Sequence, residues 1–177
     1  PIRIVQETIK VRGKPDVPLR VRITRHGPII TDVLERPQST LALRWTGLDP
    51  EDATAESFMR VNLAGTWPEF TAALRGMHVP LLNFVYADVD GNIGYYGPGA
   101  YPVRAAGDGT RPVPGWTAEF EWRGYLHESE WPSAFNPSRG YLVSANNKVA
   151  PDTFPFALGS SWEAPYRAAR IVEMIER

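Results

Sequence analysis

The sequence has 177 residues, enough for one domain, or a large part of one, that buries roughly 70% of its unfolded surface. Its 19 Lys and Arg against 20 Asp and Glu leave a net charge of −1, so there is no charge bias that would favour nucleic acid or an anionic membrane as partner. The absence of cysteine closes disulfides, thiolate zinc sites and thiol nucleophiles, and no apolar run approaches the ~20 residues that span a bilayer.

The first residues, PIRIVQETIKV, alternate in polarity instead of forming a basic and then apolar export signal. With no initial Met, and with Arg177 closing on an unbroken helical pattern, the chain reads as an internal piece of something longer. Residues 1–45 form a β-hairpin region. Leu19, Val21 and Ile23 alternate with Arg20, Arg22 and Thr24, which predicts a hairpin of strands over 2–11 and 18–25, with further short strands at Ile29–Thr31 and Leu41–Trp45.

Residues 54–77 read as a helical insert. Thr54 is the expected cap of a helix presenting Phe58 and Val61. Thr66 with Glu69 makes a capping box for a second helix, whose apolar face is Phe70, Ala73, Leu74 and Met77 and whose natural stop is Gly76. A β-rich part with a long loop follows over 82–147. LNFVYADV and NIGYYG read as a hairpin about a two-residue Asp90-Gly91 turn, 97–115 as a long loop, and FEWRGYL and GYLVSANN as strands. A terminal helix over 164–177 has Pro165 in its first turn and Ala168, Ile171, Val172 and Ile175 as an apolar stripe.

His26, His78 and His127 are far apart and show no metal spacing, and no G-x-S-x-G elbow or phosphate-cradling glycine loop is present. Asp88-Val89-Asp90-Gly91-Asn92 resembles the start of a calcium loop, but its glycine is misplaced and Gly99 stands at position twelve, so it reads as a turn. Glu119 and Glu121 would share one strand face, either solvated or, in a glycosidase, as paired carboxylates. Asn146 and Asn147 read as turn residues from their types alone. Arg167 opposes the dipole at the start of a predicted helix, where a cation costs a few tenths of a kcal/mol or more.

Four segments in order, TRHGPII, NFVYADVDGNIGYYGPG, RPVPGWTAEFEWRGYL and GYLVSANNKVAPDTFPFALGSSWEAPYRAARI, resemble the β-subunit of the penicillin acylase family over essentially the whole chain. The resemblance implies an α+β fold, a mostly antiparallel sheet with packed helices, as an incomplete piece of an N-terminal nucleophile (αββα) hydrolase. It implies cleavage of N-acyl amides such as β-lactam side chains or acyl-homoserine lactones, in an exported, periplasmic or secreted enzyme. The acyl-enzyme would form on an N-terminal serine whose α-amine, titrating near pH ~8, serves as base.

That serine falls upstream of Pro1, so the isolated chain is expected to be inactive and to need the rest of its precursor, the α-subunit and the remaining β-subunit. By the same resemblance Asn146 donates to the oxyanion, Arg167 positions Asn146 and the nucleophile's amine, and Phe58 and Leu82 wall the substrate pocket. The family's downstream calcium carboxylate has no match, since Phe156–Ser161 contains no acid and only Asp152 and Glu163 stand nearby; no cofactor is expected here. Ala145 stands where penicillin G-type members carry tryptophan, so an aromatic acyl preference does not carry over. The competing reading is a non-catalytic carbohydrate- or peptide-binding module using Trp116, Trp122, Tyr95 and Tyr96 as exposed platforms. An incomplete sheet also predicts self-association of the isolated chain through an open edge or apolar face.

Overall fold

A computed structural model describes residues 1–34 and 39–177. The alternating N-terminal residues form β1 (Arg3–Ile9) and β2 (Val17–Thr24), paired antiparallel from Arg3↔Ile23 to Ile9↔Val17, and a two-residue β3 (Gly27–Pro28) completes this sheet. The strands expected at Ile29–Thr31 and Leu41–Trp45 shrink to that pair and one Ile29↔Ala42 bridge. A 3₁₀ turn at Thr31–Val33 ends the extended run, and Pro28 has no N–H to extend the ladder.

Helix α1 (Thr54–Val61) starts where expected, but Thr54 is its first residue and not its cap. Its hydroxyl donates to Asp52 Oδ1 (2.6 Å) and accepts from the His78 N–H (3.0 Å), tying the helix start to the segment that follows the second helix. Of α1 only Ser57 is buried, and Phe58 stays 42% exposed. Helix α2 (Trp67–Ala73) carries the anticipated box in modified form. The Glu69 N–H donates to Thr66 Oγ1, while the Glu69 carboxylate accepts from the Gly65 N–H at 2.8 Å, one residue before the cap.

Strands β4 (Phe84–Ala87) and β5 (Ile93–Tyr96) form the expected hairpin, with a longer connection than a two-residue turn. Asp90 keeps a negative φ, so the mirror-image turn does not form, and only Gly91 (φ +85°) turns left-handed. Asp88 organises the loop instead, accepting from the N–H groups of Asp90 and Asn92, the Asn92 side chain and the Tyr86 hydroxyl. These donors hold its carboxyl below the usual range, the Asn92 side chain foremost.

The long loop is interrupted by β6 (Pro102–Arg104), which pairs with β7 (Trp122–Tyr125), and β8 (Ser133–Phe135), unforeseen in so short a stretch, joins β5. GYLVSANN forms no strand: among the described residues 141–147 find no ladder partner. The last element, α3 (Tyr166–Ile175), begins after Pro165. Its stripe buries Ala168 and part of Val172 but leaves Ile171 and Ile175 exposed.

The core lies between α2 and the β4–β5–β8 sheet. Phe70, Leu74 and Met77 from the helical side meet Tyr96, Tyr101, Leu126 and Trp131, and Phe156 and Leu158 dock on this cluster from the segment after the asparagines. Burial pushes the phenols of Tyr96, Tyr101 and Tyr125 up to about 12 from an ordinary 10. A phenol whose folded pKa is raised contributes stability that is intact below pH 10 and lost as pH rises toward 12. The urea midpoint should therefore be flat from pH 7 to 9 and fall steeply above 10, with late phenolate absorbance at 295 nm; a midpoint unchanged at pH 11.5 would contradict the packing of these rings.

Candidate active site

The segment 141–146 is held against α3 at both ends. The Tyr141 hydroxyl donates to Glu176 Oε1 beyond the helix C-terminus, and Arg167 Nη2 donates to Asn146 Oδ1 (2.9 Å) in its first turn. The lengths agree: nine helical rises cover about 13 Å and five extended residues about 16 Å. The Glu163 N–H also donates to the Asn146 backbone carbonyl (2.9 Å), closing the chain back on the asparagine just before the helix begins.

The two asparagines divide the work. Asn147 makes the turn, its Oδ1 accepting from the Ala145 N–H and its Nδ2 donating to the Lys148 carbonyl. Asn146 sits at φ +61°, a left-handed conformation that asparagine tolerates better than most residues. Its side-chain oxygen is taken by a guanidinium, which only donates, so the amide orientation is determined and the NH2 group faces away from Arg167. Among the described residues that NH2 has no acceptor, and Arg167 has no carboxylate within 4.0 Å. An exposed cation therefore orients an exposed amide whose NH2 is left to donate.

Leu82 and Phe58 are not brought to one cavity. Leu82 lines a cleft of about 170 Å³ with Leu81 and Asn83 on its own segment and Val149, Leu158 and Trp162 from the chain that follows Asn146. Phe58 lies outside that lining, its ring 6.0 Å from Phe84. Asn83 and Trp162 were not singled out from sequence; Asn83, a lone polar residue in the apolar run LLNFVY, was the one visible signal.

The remaining expectations are corrected by burial and pairing. Tyr95 and Tyr96 are 8% and 7% exposed, so neither is a sugar platform, Trp122 lies under the Arg44 guanidinium at 4.5 Å, and of the four aromatics Trp116 stays exposed as expected, at 85%. Glu119 and Glu121 precede β7 and share no strand face. Arg25 pairs with Glu121 at 2.7 Å and holds its carboxyl below the usual range, which makes Glu121 a fixed anion and not a general acid. His26 Nε2 donates to the Gly115 carbonyl beside it, so this cluster clamps the long loop to the β2–β3 turn.

Asp152 is paired with Lys148 and its side chain is 95% exposed, and among the described residues no three acidic or histidine side chains converge.

A model of the penicillin amidase family matches residues 1–177. The chain is 36% identical to penicillin acylase 2 proenzyme of Pseudomonas sp. (strain SE83) over 99% of its length, and 32% identical to the acyl-homoserine lactone acylase QuiP of Pseudomonas fluorescens (strain Pf0-1) over 98%. It spans about a fifth of those curated relatives, 22% and 21%. The solved thermostable penicillin G acylase of Alcaligenes faecalis superposes with a TM-score of 0.81 at 30% identity, covering 99% of this chain and 31% of that one. The mixed helix and antiparallel sheet thus match a fragment of the penicillin G acylase N-terminal nucleophile hydrolase fold, and the chain belongs to the penicillin amidase family.

Proposed function

We propose that this chain is the oxyanion-stabilising part of an amide hydrolase that cleaves N-acyl amides, β-lactam side chains or acyl-homoserine lactones among them. The observation that carries the reading is the Asn146–Arg167 pair: a carboxamide whose oxygen is held at 2.9 Å by a cation, leaving its NH2 free to donate. A serine hydroxyl supplied by the rest of the precursor attacks the amide carbonyl, and its own α-amine takes the proton. The oxyanion forms against Asn146 Nδ2, the amine leaves, and water releases the acid from the acyl-enzyme. The neighbouring cleft walled by Leu82 takes the acyl group. Relatives named as penicillin acylases and acyl-homoserine lactone acylases support the reaction class.

The same reading places the α-subunit and the remaining β-subunit on the apolar residues left exposed here, among them Ile4 and Val17 of the first hairpin and Met174 and Ile175 of α3, and it places the enzyme outside the cytoplasm. Alone, the chain would self-associate through those surfaces and turn over nothing. The test is expression of the full-length protein, with intact mass and N-terminal sequencing of the products alongside an amide hydrolysis assay. Two chains, one beginning with serine upstream of Pro1, together with acid release from N-acyl amides, are expected. A single uncut chain without hydrolysis would overturn the proposal.

A further inference from the structure

The acyl cleft holds a second oriented carboxamide. Asn83 lines it, and the Tyr95 hydroxyl donates to Asn83 Oδ1 at 2.6 Å. Tyr95 is buried on the central strand of its sheet, and burial pushes its phenol well above the ordinary range, so it remains a donor at any physiological pH. A flipped amide would donate to the Tyr95 oxygen instead, but it would leave the buried phenol's own proton without an acceptor among the described residues, so the orientation with the oxygen toward Tyr95 is the one that satisfies both groups. Its Nδ2 then has no acceptor among the described residues. The phenol that lines the cleft, Tyr101, donates to the Gly97 carbonyl. The cleft is thus walled by Leu81, Leu82, Val149 and Leu158, with Ser161 and an N–H donor at Asn83 as polar groups of its lining.

We infer that Asn83, positioned by Tyr95, is a specificity determinant that selects acyl groups carrying an acceptor oxygen on the chain, such as 3-oxoacyl groups, over plain alkanoyl groups. This rests on the acylase reading above. The volume of about 170 Å³ compares with the roughly 150 Å³ cavity that takes benzene, which suits an acyl chain of about six heavy atoms. One neutral hydrogen bond at a partly open site corresponds to about a three- to tenfold preference. An apolar acyl chain would leave the Asn83 N–H unpaired, which is the source of the discrimination.

The experiment compares kcat/KM of the full-length protein for N-hexanoyl and N-(3-oxohexanoyl) homoserine lactone. Wild type is expected to favour the 3-oxo substrate by about three- to tenfold. Asn83→Leu should bring the ratio to about one while hexanoyl turnover persists, the change lying in KM. Asn83→Asp keeps the volume and the Tyr95 bond but replaces the donor by a repelling anion, so its ratio should fall below one. Tyr95→Phe releases the amide and should lower the ratio partway, an effect that loss of packing alone would not confine to the oxo substrate. A ratio unchanged in Asn83→Leu and Asn83→Asp, with both amides cleaved, overturns this inference and leaves the acylase reading standing. A wild-type protein that cleaves neither lactone but releases acid from another N-acyl amide overturns this inference alone, and one that cleaves no N-acyl amide overturns both.

Discussion

Asn146→Ala in the full-length protein is expected to cut kcat for amide hydrolysis by about 10²–10³ while changing KM little. The asymmetry follows from timing. A neutral ground-state carbonyl gains little from one amide donor, whereas the charge that appears on its oxygen gains the full interaction in a site already oriented for it. That orientation is visible in the 2.9 Å bond from Arg167 Nη2 to Asn146 Oδ1, which holds the NH2 outward before substrate arrives. Arg167→Ala should behave differently. It leaves the donor in place but frees it to rotate, and on the proposed reading it removes a cation beside the nucleophile's α-amine, where the charge would keep that amine's pKa low. The amine must be unprotonated to act as base. Losing the cation raises its pKa, and the acid limb of kcat against pH should move to higher pH. Arg167→Lys should restore the pH limb better than the rate, since it keeps the charge but not the planar fork. An Asn146→Ala enzyme within threefold of wild type would remove this residue from the mechanism.

What could be read from sequence was what is decided locally. The Thr66 cap of α2 depends on groups three residues apart, and the apolar spacing of Phe70, Ala73, Leu74 and Met77 marks the buried side even though the helix ends at Ala73 and a 3₁₀ turn over Leu74–Gly76 carries Leu74 and leads into Met77; all four residues are buried. Where a second partner decides, the residues alone were insufficient. LVSAN reads as a strand, yet extended backbone requires a neighbouring ladder, and here the segment is held by side chains of α3 instead. Tyr95 and Tyr96 are consecutive and point to opposite faces of β5, and the binding-module reading takes both as exposed; both faces of this central strand are covered, which no window of sequence reveals. Glu121 was visible as an acid, but its partner Arg25 lies 96 residues away. The proximity of Asn146 and Arg167, 21 residues apart, came from family resemblance, because residue type alone made the first a turn and the second a solvated cation.

The largest stability loss is expected at Trp67. Its indole meets the rings of Phe70, Tyr86, Tyr96 and Phe135 at centroid distances of 5.2 to 6.0 Å, and so joins α2 to all three strands of the β4–β5–β8 sheet. Trp67→Ala should cost up to about 3–5 kcal/mol in urea unfolding, the range for truncating a large aromatic, of which this half-buried ring forfeits its contacts with four neighbours. Gly94 lies directly beneath. A Cβ there would stand 2.3 Å from Cζ3 of the indole, far inside van der Waals contact, so the half-buried ring must give up part of its packing on the four neighbouring rings. Gly94→Ala is therefore expected to cost about 1–3 kcal/mol although its backbone needs no left-handed angle. The decisive comparison is the double variant. If the glycine exists only to admit the indole, Gly94→Ala should cost almost nothing once Trp67 is already alanine, and the two losses should fail to add by nearly the whole Gly94 term. Additive losses would mean that Gly94 is required by the β-strand itself, and that the contact between the helix and the sheet does not depend on this fit.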